Sequence, residues 1–303
     1  MSEVADTACG FVAVLGAPNA GKSTLVNRLV GSKVSIVSPK VQTTRTRVTG
    51  IAISGKAQIV FIDTPGIFQG AKRRLERAMV DAAWRGARDA DQVLLVVDAA
   101  RKRIDDDTRR IIDELKQAGR KAVLALNKID LVRKETLLAK ADELYRTGVV
   151  SELFMISATA GDGVEDLMRH LVALMPAGPW HFPEDQLTDM PQRLLAAEIT
   201  REQLFLRLYQ ELPYSVAVET EQWEEFKDGS VKVSQVIYVE RDSQRPIVLG
   251  KGGQTIKAIG AEARKQLEAI VGRRVHLMLR VKQRGDWSEA RELYRDWGLE
   301  WEA

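Results

Sequence analysis

A glycine-rich octapeptide near the start of the chain constrains the fold more than any other part of the sequence. Residues 16–23 read Gly-Ala-Pro-Asn-Ala-Gly-Lys-Ser and match the pattern G-x-x-x-x-G-K-[ST]. The apolar run 11–15 precedes them, and a segment with helical spacing follows. Glycines allow successive backbone N–H groups to turn inward, and the dipole at a helix N-terminus favours an anion. The pattern therefore predicts a phosphate-binding loop between the first strand and the first helix of an α/β domain.

Alternating strand and helix patterns extend this prediction over the first half of the chain. Apolar β-type runs lie at residues 11–15, 48–53, 58–62, 92–97, 121–126 and 153–156. Several of them are almost wholly apolar, as expected for strands that are covered on both faces. Apolar residues at helical spacing form one stripe between residues 164 and 175. We therefore expect a mostly parallel sheet with helices on both faces.

The alternation stops at a proline-rich connection. Pro176, Pro179 and Pro183 fall within eight residues, and proline fixes φ and removes a backbone donor. Beyond them, the patterns predict a helix at 192–211, strands at 215–223 and 231–240 joined by a turn at 227–229, a glycine-rich turn, a helix ending near 270, a strand at 274–281 and a last helix. We predict a first domain at residues 1–178, a linker at 179–190 and an α+β domain at 191–303.

Composition excludes several classes of protein. The 303 residues contain one cysteine, Cys9, so no disulfide can form within the chain, and no Cys/His cluster has zinc spacing. Residues 1–10 lack the apolar run of a signal peptide. The longest apolar runs, such as 93–97, are far shorter than the roughly 18 residues that a membrane span needs. These features predict a protein of the reducing cytoplasm, and the net charge of +3 favours no particular partner.

Positions outside the octapeptide complete a predicted site for magnesium and phosphate. Lys22 would reach the β- and γ-phosphates, and the Ser23 hydroxyl would bind Mg²⁺. Asp63 opens an Asp-Thr-Pro-Gly sequence directly after the strand 58–62. A carboxylate there holds Mg²⁺ through water, and the Gly66 amide senses the γ-phosphate. A threonine of the polar loop 43–45, assigned as Thr44, would complete the metal shell only when the γ-phosphate is present.

Residues 127–130, Asn-Lys-Ile-Asp, follow the strand 121–126 and predict a base site that selects guanine. Guanine presents N1–H and N2–H₂ donors together, whereas adenine would leave a buried carboxylate unpaired. Asp130 is the predicted acceptor, Asn127 would donate to the purine, and the Lys128 stem would cover the ring. A backbone amide of Ser157 or Ala158 would meet guanine O6. The predicted GTP-binding residues are Gly16, Ala17, Pro18, Asn19, Ala20, Gly21, Lys22, Ser23, Thr24, Asp63, Thr64, Pro65, Gly66, Ile67, Asn127, Lys128, Asp130, Ser157 and Ala158.

In this order and spacing, the motifs resemble the Era-like branch of the translation-factor-related GTPases. The resemblance rests on Gly16-x-Pro-Asn-x-Gly-Lys-Ser-Thr24 and on Gln42-Thr-Thr-Arg45. In that branch a hydrophobic residue, here Ile67, replaces the catalytic glutamine of Ras-like enzymes, which implies slow unaided turnover. The resemblance also implies a K⁺ ion, held with the help of Asn19, that stabilises transition-state charge. The implied catalytic residues are Lys22, Thr44, Gly66 and Asn19.

Residues 248–257 carry a second motif, in the predicted α+β domain. They read Val-Leu-Gly-Lys-Gly-Gly-Gln-Thr-Ile-Lys and fit the KH pattern, whose G-x-x-G turn lies against the phosphates of a single RNA strand. Residues 241–284 include eleven basic and three acidic side chains, a net charge of +8, whereas residues 211–228 have a net charge of −5. Such a local excess is typical of a nucleic-acid surface. The predicted RNA-binding residues are Gly250, Lys251, Gly252, Gly253, Lys257, Arg264 and Lys265.

A P-loop GTPase domain followed by a type II KH domain is similar to the Era family over nearly the whole chain. Further matches are the segments 181–185, 211–216 and 259–265, whereas Ala17 stands where an arginine is frequent. The resemblance implies that GTP sets an RNA-competent state and that hydrolysis to GDP permits release. It implies a KH domain that binds the 3′ end of small-subunit ribosomal RNA during assembly of the small ribosomal subunit. We also expect a cytoplasmic monomer, with peripheral association at the inner membrane.

Two other functions are compatible with parts of this pattern. A tRNA-modification GTPase would need additional folate-type and helical domains, for which 303 residues leave no room. An RNA-binding module with a regulatory nucleotide site that does not turn over would not need a complete phosphate site. The presence of Lys22, Ser23, Asp63 and Asp130 argues against this last function.

Overall fold

The computed structural model describes residues 7–41, 43–67 and 73–302. The chain divides into two compact units. The first comprises Met1–Ser35, Thr44–Asp189 and Gly298–Ala303, and the second comprises Ile36–Thr43 and Met190–Trp297. Gln42, which contributes to the Era-like motif, and residues 1–6, for which no signal peptide is predicted, lie outside the described residues.

The first unit contains a six-stranded sheet with the strand order β2-β3-β1-β4-β5-β6. The strands are β1 (Ala8–Leu15), β2 (Val48–Ser54), β3 (Ala57–Asp63), β4 (Gln92–Asp98), β5 (Ala122–Asn127) and β6 (Val150–Ile156). Only the edge strand β2 runs antiparallel to its neighbour. The predicted mostly parallel sheet is confirmed, and every predicted strand limit lies within three residues of the observed one.

Five helices flank this sheet: α1 (Lys22–Val30), α2 (Arg74–Asp89), α3 (Asp106–Gln117), α4 (Lys134–Tyr145) and α5 (Val164–Ala173). Side chains of β1 alternate between two apolar cores because successive residues of a strand point to opposite faces. Leu15 lies in one core with Ile111 of α3, and Val14 lies in the other with Leu25 of α1 and Leu167 of α5. Helices therefore cover both faces, as predicted.

The parallel topology explains why the predicted motifs meet. Strands β1, β3, β4 and β5 run in the same direction and end at Leu15, Asp63, Asp98 and Asn127. The loops that follow these ends consequently lie along one edge of the sheet. In open α/β sheets this carboxyl edge is the place where ligands bind.

The second unit is an α+β fold around a three-stranded sheet of order β7-β8-β9. Its elements are α6 (Gln192–Arg207), β7 (Val216–Glu225), β8 (Val231–Val239), α7 (Arg245–Leu249), α8 (Gln254–Val271), β9 (Val275–Gln283) and α9 (Arg291–Asp296). Strand β8 pairs antiparallel with β7 and parallel with β9. Helices α6 and α8 cover the sheet through a core that includes Leu204, Ile237 and Ile259.

Helix α6 ends earlier than the predicted limit at residue 211. The backbone is extended at Leu208, with φ −90° and ψ 152°, and Gln210 has a φ of 55°. A short 3₁₀ turn, Leu212–Ser215, follows and has Pro213 as its second residue. A proline disfavours helix in the residue before it and cannot donate within a helix. The predicted limit was too late because the apolar pattern continues beyond the point where the backbone leaves the helix.

The predicted linker 179–190 packs within the first unit up to Asp189. Gln58 of β3 is buried and holds this segment at two places. Its Nε2 donates to the carbonyl of Phe182 over 2.8 Å, and its Oε1 accepts from the backbone N–H of His181 over 2.9 Å. Farther along, the N–H of Ile51 donates to the carbonyl of Leu187 over 2.9 Å. Prolines thus mark an irregular segment, but its hydrogen bonds attach it to the sheet.

Segment 36–43, which the sequence places within the nucleotide domain, packs in the second unit. Ile36 belongs to an apolar core with Leu195 and Ile199 of α6. The N–H of Val37 donates to the Glu202 carboxylate over 2.8 Å. Conversely, Gly298–Ala303 belongs to the first unit, where Glu300 pairs with Arg85 of α2. Among the described residues, no helix has the length and hydropathy needed to cross a membrane.

Candidate functional site

Two glycines permit the close packing of the phosphate-binding loop. Gly16 has a φ of 155° and Gly21 a φ of 98°. A Cβ on Gly16 would overlap the carbonyl oxygen of Val96, and a Cβ on Gly21 would overlap the side-chain nitrogen of Asn127. Any larger residue would therefore displace the loop from the ends of β4 and β5.

Lys22, at the first position of α1, is 6% exposed. Its ammonium group donates to the carbonyls of Gly16 and Ala17 over 3.0 and 3.2 Å. Burial lowers the pKa of Lys22 to about 8, and the nearby Asp63 carboxylate opposes this shift. The loop therefore surrounds a desolvated cation, which an anionic phosphate would stabilise.

Asp63 is fully buried at the end of β3 and contacts the other two predicted metal ligands. Its Oδ2 accepts from the Ser23 hydroxyl over 2.7 Å and from the Thr44 hydroxyl over 3.5 Å, and the two hydroxyls are 2.9 Å apart. Its Oδ1 is buried without a hydrogen-bond partner among the described residues. Burial raises the pKa of Asp63, while the hydroxyls and Lys22 lower it. An all-oxygen cluster with one unsatisfied carboxylate oxygen fits Mg²⁺.

Two residues of this cluster have no motif to predict them. The Ser35 hydroxyl donates to Asp63 Oδ2 over 2.7 Å. Asn27 of α1 fixes Ser35 in turn, since its Oδ1 accepts the N–H groups of Val34 and Ser35 over 2.9 Å each. Its Nδ2 also donates to the Ser35 carbonyl over 2.7 Å. In the sequence, the only signal for Ser35 is the polar stretch that begins near it. That stretch does not identify Asp63 as the partner of the Ser35 hydroxyl.

The Asp-Thr-Pro-Gly segment approaches the phosphate-binding loop closely. A Cβ on Gly66 would lie 3.1 Å from Cα of Pro18, and the N–H of Ile67 donates weakly to the Gly16 carbonyl over 3.4 Å. The Ile67 side chain is fully buried in the apolar core with Leu15. This position therefore offers no side chain that can orient a water molecule, as the sequence predicts.

The Asn127 amide connects three parts of the predicted base site. Its Nδ2 donates to the Ala20 carbonyl over 2.9 Å, and its Oδ1 accepts the N–H of Ala158 over 2.9 Å. The Ser157 N–H donates to the Asp162 carbonyl over 3.0 Å. Both predicted O6 donors thus already have protein acceptors, and Asn127 braces the loops. A direct contact of either amide with guanine O6 would require that its hydrogen bond be shared or opened.

Lys128 and Asp130 lie on the rim of the same site. The Lys128 ammonium donates to the Asn19 carbonyl over 2.8 Å and pairs with Asp98 over 2.7 Å. Its backbone has a φ of 68°. Asp130 is exposed, and its carboxylate forms no hydrogen bond or ion pair within residues 7–41, 43–67 and 73–302. Asp130 is therefore available to accept the two donors of guanine, but it is not the buried carboxylate that the sequence argument assumes.

The G-x-x-G turn joins α7 to α8 in the second unit. Gly250, Gly252 and Gly253 have φ values of 73°, 59° and 77°. A Cβ on Gly250 would overlap the Thr255 hydroxyl, whereas Gly252 has open space around it. The N–H of Gly253 donates to the Gly250 carbonyl over 3.0 Å. The turn therefore has the compact backbone that a nucleic-acid phosphate can approach.

A groove of about 330 Å³ lies beside this turn, between α8 and β9. Lys257 and Arg264 stand on α8 along it, and Leu277 and Leu279 form the β9 side. Lys265 is exposed but does not line the groove. An apolar floor with basic edges is suited to bases and phosphates of a single strand.

The local charge count overstates the cations available to a ligand. Several of the counted side chains pair with carboxylates, as in Arg273–Glu225 and Lys282–Glu221. By contrast, Lys251, Lys257, Arg264 and Lys265 are exposed and form no ion pair in the part of the chain that the structure describes. The same part contains no cluster of three His, Cys, Asp or Glu side chains that could hold a metal ion.

Comparison with known proteins identifies the family. A family model described as 50S ribosome-binding GTPase matches residues 11–128, and a KH domain model matches residues 211–288. GTPase Era of Rhizobium meliloti (strain 1021) is 58% identical over 294 residues, which are 97% of this chain and 93% of that protein. The chain belongs to the Era family of GTPases. GTPase Era of Caulobacter vibrioides (strain NA1000 / CB15N) is 54% identical over 309 residues, 98% of either chain.

Solved structures of Era share the fold of both units. Era in complex with MgGDPNP and nucleotides 1506–1542 of 16S ribosomal RNA has a TM-score of 0.91 at 38% identity. The match covers 96% of this chain and 99% of that chain. A variant of Aquifex aeolicus Era bound to GDP·AlF₄⁻ has a TM-score of 0.90, also at 38% identity. The predicted arrangement of a P-loop GTPase fold followed by a KH fold is thus confirmed.

The depressed pKa of Lys22 predicts a pH-dependent stability in the absence of nucleotide. The ammonium pKa is about 8 in the folded protein and 10.5 when unperturbed. The unfolded state therefore binds more protons between these values, and the free energy of unfolding rises with pH by up to about 1 kcal/mol per unit. Urea denaturation of the wild type and of Lys22→Met between about pH 8 and pH 10.5 isolates the contribution of Lys22 to the free energy of unfolding. Parallel stability curves for the two proteins would contradict the prediction.

Proposed function

We propose that this protein binds GTP with Mg²⁺ in its first unit, hydrolyses it to GDP and phosphate, and binds small-subunit ribosomal RNA through its KH unit during assembly of the small subunit. The observation that carries this proposal is the cluster of Ser23, Thr44 and Asp63 beside the buried Lys22. The Era relative described above was solved in complex with both MgGDPNP and a segment of 16S ribosomal RNA. A cytoplasmic location follows from an RNA partner in the ribosome.

The protein's own groups position and neutralise the triphosphate. Lys22 would exchange its two carbonyl contacts for phosphate oxygens, whose negative charge would raise the pKa of its ammonium again. Ser23, Thr44 and Asp63 would hold Mg²⁺, which would neutralise charge on the β- and γ-phosphates. The Gly66 amide would mark the γ-phosphate position. Because Ile67 is buried, no side chain at that position aligns water, so we expect slow intrinsic turnover.

Guanine selection by Asp130 has a direct test. Asp130→Asn should lower GTP affinity by roughly 100-fold and raise the affinity for XTP, because the amide can donate to the xanthine oxygen at C2. Equilibrium binding of GTP, ATP and XTP measures both changes. Glu135→Gln makes the same charge change at an exposed site five residues away and should leave the preference for GTP intact. Equal competition by ATP in the wild type would refute the guanine assignment.

A second nucleotide-site proposal concerns K⁺. Asn19 of the phosphate-binding loop has a φ of 63°, and the Era-like resemblance implies that it helps to hold K⁺ near the transferred phosphate. Hydrolysis should then be faster in KCl than in NaCl at equal ionic strength. Single-turnover phosphate release in the two salts measures the ratio. Equal rates in the two salts would rule out a role for K⁺. Binding of GTP without any release of phosphate would favour the alternative function, an RNA-binding module that does not turn over GTP.

RNA binding by the G-x-x-G turn can be separated from nucleotide binding. The double variant Lys251→Asp/Gly252→Asp should weaken binding of single-stranded RNA by at least about tenfold, because it places two carboxylates against the phosphates. Lys116→Asp/Gly119→Asp is a matched control: both residues are exposed, and Gly119, like Gly252, has a positive φ and open space. Fluorescence anisotropy gives both affinities, with GTP binding measured in parallel. Unchanged RNA affinity in the first variant would refute RNA binding by the G-x-x-G turn.

Several narrower assignments remain proposals. We retain the predicted domain limits 1–178, 179–190 and 191–303 as functional divisions, although the compact units differ at 36–43, 179–189 and 298–303. Peripheral membrane association and a monomeric state rest on the family resemblance alone. The site residues assigned from the sequence also remain proposals. The geometry supports Lys22, Ser23, Thr44 and Asp63, whereas the N–H groups of Ser157 and Ala158 already have protein acceptors.

A further inference from the structure

Arg101 contacts the phosphate-binding loop from a neighbouring loop that carries no predicted motif. It lies beyond the carboxyl end of β4. Its Nη2 donates to the Pro18 carbonyl over 2.8 Å, and its Nη1 pairs with Asp105 over 2.9 Å. Asp105 is itself fixed, because its carboxylate caps α3 through the N–H of Thr108 over 3.0 Å. The guanidinium is therefore held by two partners of defined geometry.

The contact with the Pro18 carbonyl has a consequence for the next residue. A peptide unit is planar, and in the trans form its C=O and N–H bonds point in opposite directions. The described chain contains no cis peptide bond. Because Arg101 holds the Pro18 oxygen, the N–H of Asn19 in the same peptide unit points away from the guanidinium. Pro18 has no N–H of its own, so Asn19 is the first residue after it that can donate on that side.

The loop that carries Arg101 is braced from behind. Lys140 of α4 is 6% exposed, and its ammonium donates to the Ala99 carbonyl over 2.7 Å and also to the Arg101 carbonyl. The Asp98 carboxylate accepts the N–H of Ala100 over 2.8 Å. Because the ammonium is buried, water would not replace either carbonyl if one of these hydrogen bonds were broken. The two hydrogen bonds therefore restrict the movement of the loop.

The same brace reaches the adjacent peptide of the phosphate-binding loop. Lys128 bridges Asp98 and the Asn19 carbonyl over 2.7 and 2.8 Å. Consecutive carbonyls, those of Pro18 and Asn19, are thus held by cations anchored to the loop 98–101. On its other side, Pro18 is packed against Gly66, as described above. The tip of the phosphate-binding loop is therefore fixed between two segments.

We propose that Arg101 is a positioning residue for GTP hydrolysis, which orients the Asn19 amide toward the phosphate chain. This inference rests on the proposed GTPase function. Charge moves toward the leaving phosphate oxygens in the transition state, so a preoriented N–H stabilises it more than it stabilises bound GTP. The Arg101 cation also adds to the positive field at the loop. After burial, it is a second cause that lowers the pKa of Lys22.

The proposal is tested with Arg101→Ala, Arg101→Lys and Arg103→Ala in the full chain. We expect Arg101→Ala to lower the single-turnover hydrolysis rate about tenfold, with the Kd for GDP changed less than about twofold. The affinity for GDP·AlF₄⁻, which mimics the transition state, should fall by the same factor as the rate. Arg101→Lys retains one donor and should recover at least about a third of the rate. Arg103 is exposed in the same loop, and Arg103→Ala should behave as the wild type.

Lys140→Met gives an independent test in which Arg101 itself is not substituted. It releases the loop 98–101 and should reproduce the same separation of GDP and GDP·AlF₄⁻ affinities, with a smaller loss of rate. An Arg101→Ala rate within about twofold of Arg103→Ala would overturn the inference, as would equal losses of GDP and GDP·AlF₄⁻ affinity. In those cases wild-type hydrolysis still supports the proposed function. A wild type that neither binds nor cleaves GTP would instead refute the proposed function itself.

Discussion

The close approach of a backbone loop to the ends of two strands is the constraint on which the first unit depends. Gly16 lies against the Val96 carbonyl and Gly21 against the Asn127 amide. Because Asn127 also binds the carbonyl of Ala20 and the N–H of Ala158, the phosphate side and the base side form one connected structure. A nucleotide that spans both sides is recognised by a site whose spacing is set in advance.

Two buried charges give this site its electrostatic character. The Lys22 ammonium and the Asp63 carboxylate are both desolvated, and their pKa values shift in opposite directions, each toward the neutral form. A phosphate beside Lys22 and a cation beside Asp63 would remove both penalties together. Binding energy is thus coupled to two charges whose burial costs free energy. Ser35, held by Asn27, limits that cost by donating to Asp63.

The second unit separates two kinds of basic residue that a charge count treats alike. Arg273 and Lys282 pair with acidic residues of β7. Lys257 and Arg264 instead stand seven residues apart on α8, which is two helical turns, and line one groove. Spacing along a helix predicts a shared face. The two ion pairs instead join β7 to residues in or just before β9, and β8 lies between these strands, so they depend on the topology of the sheet.

The elements and motifs with local signals could be predicted from the sequence. Apolar runs and glycine positions report burial and backbone conformation within a few residues, so the strands, the loop at 16–23 and the turn at 250–253 were within reach of prediction. Three contacts become visible only in the folded chain: Ser35 donates to Asp63, Arg101 donates to Pro18, and the segment after Pro179 packs on Gln58. Each is a contact between residues remote along the chain. Such contacts depend on the path of the whole backbone, which no local pattern encodes.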